Sequence, residues 1–132
     1  MKALLDTHTL LWWFEVNSKL PVSHKNIIDK AKPEEPLLVS DISLWEIATL
    51  YELGRIRLAL PLREWLERAT APPLVHCCHI SPAIAAEVAS LPSTFHRDPG
   101  DRIIVATARI LGATLLTCDE RIIKSGIVPT IS

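Results

Sequence analysis

Short apolar runs alternate with longer segments of helical periodicity along most of the chain. Apolar runs occur at residues 2–5, 37–40, 74–80, 114–117 and 128–131, each short enough for a buried strand. The segments 9–15, 23–32, 40–53, 62–69, 81–91, 101–111 and 120–124 are predicted to be helices or helical turns. Apolar strands separated by helices are typical of a parallel sheet covered on both faces. The pattern therefore predicts an α/β fold, a three-layer α/β/α sandwich with a mainly parallel central sheet.

Several residues mark where the predicted helices begin and end. Gly54 and Gly112 directly follow two apolar-periodic segments, where glycine commonly ends a helix. Ser81 followed by Pro82 is typical of a helix start. Since no repeat, low-complexity tract or long linker divides the chain, we expect a single domain over residues 1–132.

The composition describes a folded domain with almost balanced charge. The chain has 132 residues, of which 48% are hydrophobic, and this content excludes intrinsic disorder. Lys and Arg number 14 against 15 Asp and Glu, which leaves a formal net charge of −1. Since no global positive field attracts nucleic acid, such a partner would have to be held by local groups or by a metal ion.

Cysteine usage and the length of the apolar runs bear on the cellular compartment. Cys77 and Cys78 are adjacent and Cys118 is distant, and an odd count without a Cys-x-x-Cys pair is typical of a reduced intracellular chain. Asp6 and His8 interrupt the apolar beginning, so we expect no secretory signal. No run reaches the ~18–20 apolar residues of a membrane span. These features predict a cytoplasmic protein without a membrane partner.

Acidic residues follow the predicted strands where the strands end. Asp6 comes after the first strand, Asp41 after the second and Asp119 after a late strand. Asp101 begins the long helix that leads to this late strand, and Glu46 lies in the first turns of the helix after the second strand. Ligands of open parallel sheets bind outside the carboxyl ends of the strands, so we expect these acids to lie near one edge.

A purely structural role as helix caps is the alternative for each acid. Aspartate is a favoured N-cap residue, and the aspartates near predicted helix starts are Asp6, Asp41, Asp98, Asp101 and Asp119. The segment Ser43-Leu44-Trp45-Glu46 also matches a capping box, in which Glu46 would accept from backbone donors at the helix start. Capping is the better explanation for any one acid alone, whereas the whole set favours a shared site.

Glu46 is the residue that most strongly indicates a metal site. Its neighbours at helical spacing include Ile42, Leu50 and Leu53, so its carboxylate lies on a largely apolar stripe. Two carboxylates ~5 Å apart repel each other by about 3 kcal/mol at an effective dielectric constant of ~20, so several together need a cation. Oxygen ligands without a thiolate or imidazole cluster favour Mg²⁺ or Mn²⁺ over zinc. Such an ion most often activates water and neutralises charge on a phosphate.

Short hydroxyl residues accompany the acids. Thr7 directly follows the first aspartate, Ser43 lies three residues before the glutamate, and Thr117 lies two residues before the last aspartate. These side chains could hydrogen-bond to the carboxylates and orient them. Local capping or strand packing explains each hydroxyl equally well.

Four separated segments together resemble one known family. The chain resembles PIN-domain ribonucleases of the VapC toxin type in LLDTHTLLW, in SLWEIATL followed by GRIRL, in HRDPGDRIIVATA and in LLTCDERI. The resemblance covers nearly the whole chain, and it is specific because four motifs agree in order. It implies a PIN-like fold and a Mg²⁺- or Mn²⁺-dependent endoribonuclease toxin of a type II toxin–antitoxin system. Such a toxin cleaves RNA, is neutralised by a small antitoxin protein, and forms a homodimer or a toxin–antitoxin hetero-oligomer.

The resemblance also implies roles for individual residues. The four acids that match the catalytic, metal-binding acids of the family are Asp6, Glu46, Asp101 and Asp119. Thr7 and Thr117 occupy the hydroxyl positions beside the first and last of them. Asp98 is an additional acid that could help to hold a second metal ion. Val105 replaces a small residue common in the long helix, a departure that affects packing rather than chemistry.

Three basic residues near the acidic turn could contact RNA. His96 and Arg97 precede the turn, and we expect a solvated loop there, with contact to RNA phosphate as the alternative. Arg102 directly follows Asp101, and the sequence supports equally a phosphate contact and an ion pair with a neighbouring acid.

Three other functions compete with the nuclease interpretation. A phosphatase of the haloacid dehalogenase type also has an aspartate after its first strand, but it needs a second acid two residues later, where this chain has His8. A phospho-receiver would need a lysine after a late strand, and Thr117-Cys118-Asp119 provides none. A catalytically silent PIN-like binding module, whose acidic pocket only holds a cation, stays open because sequence alone does not show turnover.

Overall fold

The computed structural model describes residues 1–132 as five strands and seven helices. In chain order these are β1 (Ala3–Leu5), α1 (Thr7–Phe14), α2 (Val22–Ile28), β2 (Leu37–Ser40), α3 (Asp41–Glu52), α4 (Leu62–Ala69), β3 (Val75–Cys78), α5 (Pro82–Ser90), α6 (Pro99–Leu111), β4 (Thr114–Leu116), α7 (Glu120–Ser125) and β5 (Thr130–Ile131). Each predicted element is present, with ends that shift by a few residues. None of the helices combines the length and apolar character that crossing a membrane requires.

The five strands form one parallel sheet in the order β3-β2-β1-β4-β5. In the centre, Leu4 of β1 is in register with Leu38 of β2 on one side and with Leu115 of β4 on the other. The chain builds β1, β2 and β3 outward in one direction and then crosses over to add β4 and β5 on the opposite side. This reversal opens a crevice beside β1, which is where parallel sheets bind their ligands.

Alternating residues of the central strands build two separate cores. Leu5 and Leu116 face one side of the sheet, where they pack with residues of α1, α2 and α4, including fully buried Trp65. Leu4 and Leu115 face the other side and pack with residues of α6 and α7 and with Leu91 and Phe95 of the segment before α6. Because successive strand residues point to opposite faces, two adjacent leucines serve two cores. The structure thus confirms the predicted three-layer α/β/α sandwich.

Three aspartates cap helices at the carboxyl edge of the sheet. Asp6 caps α1, Asp98 caps α6 and Asp119 caps α7, each accepting a hydrogen bond from a backbone N–H of its helix. The capping interpretation therefore holds for these residues. It does not exclude a second role, because each carboxylate oxygen has more than one lone pair and the helix cap uses only one of them.

The capping box considered as the alternative role for Glu46 does not form at the start of α3. Ser40 is the N-cap of this helix, and its hydroxyl oxygen accepts from the N–H of Ile42 at 3.3 Å. Ser43 lies one turn further along and is fully buried. Glu46 is consequently too far into the helix to reach free backbone donors, and its carboxylate bonds to a side chain on α1 instead.

Candidate active site

An open cleft of about 600 Å³ lies at the carboxyl ends of β1 and β4. The acids that line it are Asp6, Glu46, Asp98, Asp101 and Asp119. Asp41, which the sequence also places at this edge, is not part of the lining. It lies towards β3, where its negative charge helps to raise the pKa of the thiols of Cys77 and Cys78. The acidic residues therefore gather around the central crevice and not along the whole edge of the sheet.

Asp6 is the most deeply buried acid of the cleft. Its Oδ1 accepts the N–H of Thr7 at 2.8 Å, and its Oδ2 accepts the hydroxyl of Thr117 at 2.6 Å. Burial raises the pKa of Asp6, and these two hydrogen bonds counteract part of the increase. The two threonines come from opposite ends of the chain and fix both carboxylate oxygens.

A chain of three side chains links α1 to α3. Thr7 donates its hydroxyl to Oε1 of Glu46 at 2.5 Å, and its oxygen lies 2.9 Å from the hydroxyl of Ser43. Since the Thr7 proton is committed to Glu46, Ser43 is the donor to Thr7. Burial raises the pKa of Glu46, the bond from Thr7 opposes this, and repulsion from Asp101 and Asp6 adds to it.

Gly100 makes room for the carboxylate of Glu46. A Cβ atom at this position would overlap Oε2 of Glu46 and would lie only 2.6 Å from its Cδ. Gly100 is buried in the first turn of α6, so α3 and α6 approach each other closely here. Only glycine leaves space for the glutamate between the two helices.

Asp101 and His96 form a side-chain pair at the start of α6. Nε2 of His96 lies 2.7 Å from Oδ2 of Asp101, and their side chains are only 17% and 13% exposed. Burial raises the pKa of Asp101, the hydrogen bond from His96 lowers it, and the neighbouring aspartates raise it again. The expectation that His96 lies in a solvated loop is wrong, because its ring packs against Phe95 and points to Asp101.

Asp119 differs from the other acids because a cation lies beside it. Burial acts to raise its pKa, but hydrogen bonds from the guanidinium and backbone of Arg121 outweigh burial and lower the pKa. The Arg121 guanidinium lies 3.3 Å from Oδ2 of Asp119 and 3.5 Å from Oδ2 of Asp101. Asp119 also has its N–H bonded to the hydroxyl of Thr117 at 3.0 Å. Arg121 thus favours the ionised form of Asp119.

The other two basic residues singled out in the sequence do not enter the cleft. Arg97 is exposed and is not part of the lining. Arg102 is only 7% exposed and donates to the carbonyl oxygens of Phe95, His96 and Val88 at 3.2–3.3 Å. Arg102 therefore neither faces the cleft, as a phosphate contact requires, nor forms an ion pair with a neighbouring acid. Successive helical residues are rotated by about 100°, so Arg102 faces α5 while Asp101 faces the cleft.

Three side chains bring metal-type ligand atoms close together. One atom each from His96, Asp101 and Asp119 lies within 4.8 Å of the others. Burial and mutual repulsion make the ionised forms of Asp6, Glu46 and Asp101 unfavourable. A divalent cation would relieve this cost, and carboxylate oxygens are the donors that Mg²⁺ and Mn²⁺ prefer. The residues of the cleft therefore fit a divalent ion.

Sequence reasoning missed two residues of this cleft. Gly100 had a usable signal, since a glycine in the first turn of a helix lowers helix stability and suggests a packing reason. The signal for Arg121 was weaker, because it consisted only of a position two residues after Asp119. The contact of Arg121 with Asp101 depends on how α6 and α7 pack.

The fold and cleft together define a class of protein: a three-layer α/β/α sandwich with carboxylates gathered where the order of a parallel sheet reverses. The family model of the PIN domain matches residues 3–126. The chain is also 39% identical over 119 residues to Ribonuclease VapC22 of Mycobacterium tuberculosis, covering 90% of this chain and 88% of the relative. The chain belongs to the PIN-domain family.

Solved structures share this fold at low sequence identity. The structure of VapBC-1 from nontypeable Haemophilus influenzae superposes with a TM-score of 0.74 at 16% identity, covering 100% of this chain and 98% of the other. VapBC2 from Rickettsia felis, bound to a DNA fragment from their promoter, gives a TM-score of 0.72 at 16% identity and covers 99% and 98%. FitAcB from Neisseria gonorrhoeae gives 0.71 at 19% identity, covering 98% and 96%. The fold is therefore that of these proteins.

Proposed function

We propose that the chain is a Mg²⁺- or Mn²⁺-dependent endoribonuclease, the toxin of a toxin–antitoxin pair. The observation that carries this proposal is the convergence of three carboxylates with raised pKa values, those of Asp6, Glu46 and Asp101, in one open cleft. Membership of the PIN-domain family and 39% identity to a protein named a ribonuclease support the same activity.

The proposed metal ligands are the four acids Asp6, Glu46, Asp101 and Asp119, with Asp98 as an additional acid for a second ion. All five line the cleft and offer hard oxygen donors. A bound divalent ion lowers the pKa of a water molecule and neutralises charge on a phosphodiester. Since the net charge of the chain is −1, RNA binding depends on such local positive charge.

The remaining residues of the site orient the acids and set their charge. Thr117 and the N–H of Thr7 hold Asp6, while the Thr7 hydroxyl, itself bonded by Ser43, holds Glu46. This network limits the side-chain freedom that would otherwise be lost when ligand binds. The lowered pKa of Asp119 keeps one carboxylate ionised at the site before an ion arrives.

The proposed partners are an RNA substrate and a cognate antitoxin protein. The structural relatives VapBC-1, VapBC2 and FitAcB are consistent with assembly of this chain into a toxin–antitoxin hetero-oligomer or a homodimer. We place this assembly in the cytoplasm, where RNA is available and the three cysteines stay reduced.

A cleavage assay with matched variants tests the proposed activity. The purified chain should cleave structured RNA only when Mg²⁺ or Mn²⁺ is present, and a chelator should abolish cleavage. Asp6→Asn and Asp101→Asn should each remove this cleavage while the circular dichroism spectrum stays that of the wild type. Asp41→Asn is the control, because Asp41 follows β2 at the same edge of the sheet but does not line the cleft. Cleavage that survives in either cleft variant, in a nuclease-free preparation, would refute the proposal.

The silent binding module is the competing function within the same family. It predicts that the chain binds divalent ions and antitoxin without cleaving any RNA, so metal titration and the cleavage assay separate the two. The phosphatase alternative loses support, because the chain belongs to the PIN-domain family and has His8 where the second acid is required.

A further inference from the structure

One nitrogen donor lies beside the cleft, in contact with one of its acids, without lining the cleft itself. Nε2 of His96 lies 2.7 Å from Oδ2 of Asp101, and a carboxylate oxygen of Asp119 completes a triangle whose corners are within 4.8 Å. We propose that His96 is a direct metal ligand together with Asp101 and Asp119, which makes the site prefer Mn²⁺ over Mg²⁺. This inference rests on the proposed metal dependence and adds a residue and a preference to it.

The backbone around His96 is held rigidly, as a ligand position requires. The buried guanidinium of Arg102 donates to the carbonyl oxygens of Phe95 and His96, both at 3.3 Å. The Phe95 side chain is 5% exposed, and its ring lies 4.3 Å from the imidazole centroid. The imidazole therefore has little freedom to lose when an ion binds, and ligand sites benefit from such preorganisation. A histidine on a solvated loop would not gain from it.

The spacing of the donor atoms suits coordination to one ion. Two ligands about 2.1 Å from the same ion and at right angles lie ~3 Å apart, close to the observed His96–Asp101 separation. Coordination through Nε2 requires the neutral tautomer whose proton is on Nδ1, because only then is the Nε2 lone pair available to the ion.

A nitrogen donor changes which ion binds best. Mg²⁺ prefers oxygen ligands and retains its water molecules, whereas first-row transition ions accept imidazole. The guanidinium of Arg121 lies beside both aspartates, is 62% exposed and can move into solvent when an ion takes its place. A divalent ion in the place of the guanidinium puts two positive charges, instead of one, beside Asp101 and Asp119.

Pulsed electron paramagnetic resonance of bound Mn²⁺, without RNA, tests the proposal directly. The wild-type chain should show coupling of Mn²⁺ to a ¹⁴N nucleus, and labelling with ¹⁵N-histidine should convert this signal to the ¹⁵N pattern. His96→Ala should lose the coupling and lower the Mn²⁺ affinity by about 10- to 100-fold, with a smaller effect on Mg²⁺. His8→Gln is the matched control, because His8 lines the same cleft and should leave the signal unchanged.

The outcomes separate this inference from the proposed function. Mn²⁺ that binds without histidine coupling would overturn the role of His96 as a ligand and leave metal-dependent cleavage standing. Equal losses of Mn²⁺ and Mg²⁺ affinity in His96→Ala would likewise mean that His96 only orients Asp101. A wild-type chain that binds neither ion would overturn both. The ¹⁵N-histidine experiment on the wild type and on His8→Gln needs no substitution of His96, so a histidine coupling that persists in His8→Gln supports the proposal even where His96→Ala fails to fold, and a coupling lost in His8→Gln overturns it.

Discussion

The close approach of α3 and α6 makes Gly100 a sensitive position. Replacing it with alanine puts a Cβ atom 2.6 Å from Cδ of Glu46, well inside van der Waals contact. Because Glu46 ends in a flexible side chain, the carboxylate will move and the helices will stay in place. The movement breaks its 2.5 Å hydrogen bond with the hydroxyl of Thr7. We therefore expect Gly100→Ala to displace one acid of the cleft without unfolding the protein.

The net effect on stability is the difference between two opposing terms. Loss of a charge-assisted hydrogen bond costs about 1.5–3 kcal/mol, and alanine in place of glycine in a helix contributes up to about 1 kcal/mol. Gly100→Ala should thus lower the free energy of unfolding by about 0.5–3 kcal/mol. In the background of Glu46→Ala the clash is absent, and the same substitution should raise the free energy of unfolding by up to about 1 kcal/mol. The coupling energy between the two positions is then about 1.5–3 kcal/mol.

A double-mutant cycle measures this coupling. Urea denaturation of the wild type, the two single variants and the double variant gives the four free energies of unfolding. RNA cleavage by Gly100→Ala should also fall about 100-fold, the cost of a ~1 Å misplacement of a catalytic group. If Gly100→Ala stabilises both backgrounds equally, Glu46 does not need the space at Gly100, and the packing argument for α3 and α6 is wrong.

Three further predictions concern the groups around the cleft. Thr117→Val removes the hydroxyl that donates to Asp6 at 2.6 Å, so we expect about 1–3 kcal/mol lower stability by urea denaturation and weaker Mn²⁺ binding in calorimetric titration. Arg102→Met leaves the carbonyl oxygens of Phe95 and His96 without this donor, while that of Val88 keeps the N–H of Leu91, and should cost at least about 2 kcal/mol by urea denaturation. The control Arg63→Met on the surface of α4 should change stability by less than about 0.5 kcal/mol in the same assay. Burial lowers the pKa of His24 below its ordinary value of 6.5, so the unfolded chain binds more protons and stability should fall as the pH drops below about 6.5. His24→Gln should flatten this pH dependence of the unfolding midpoint, and an unchanged slope would contradict the assignment to His24.

Local signals in the sequence predicted the elements of the fold well. Leu62–Ala69 and Leu37–Ser40 have in the structure the bounds that the pattern predicts, and the αL residue Gly112 ends α6 as expected. These features depend on residues close together in the chain, namely the spacing of apolar side chains and the conformations that glycine allows. The capping-box motif at Ser43 was misleading because Ser40 is an equally suitable N-cap residue nearby. The local motif alone does not decide which of the two serines begins α3.

The amino-acid order by itself determined the alternation of strands and helices, the parallel sheet and the acids at the strand ends. It determined this much because the periodicity that distinguishes strands from helices lies in residues close together in the chain. The tertiary structure decided which donors reach those acids: Thr7 bonds Glu46 across 39 positions, and Thr117 bonds Asp6 across 111. It also turned Arg102 away from the cleft and brought His96 against Asp101 at the edge of the cleft. Such contacts depend on the rotation and separation of packed helices, which the whole core sets and no local segment encodes.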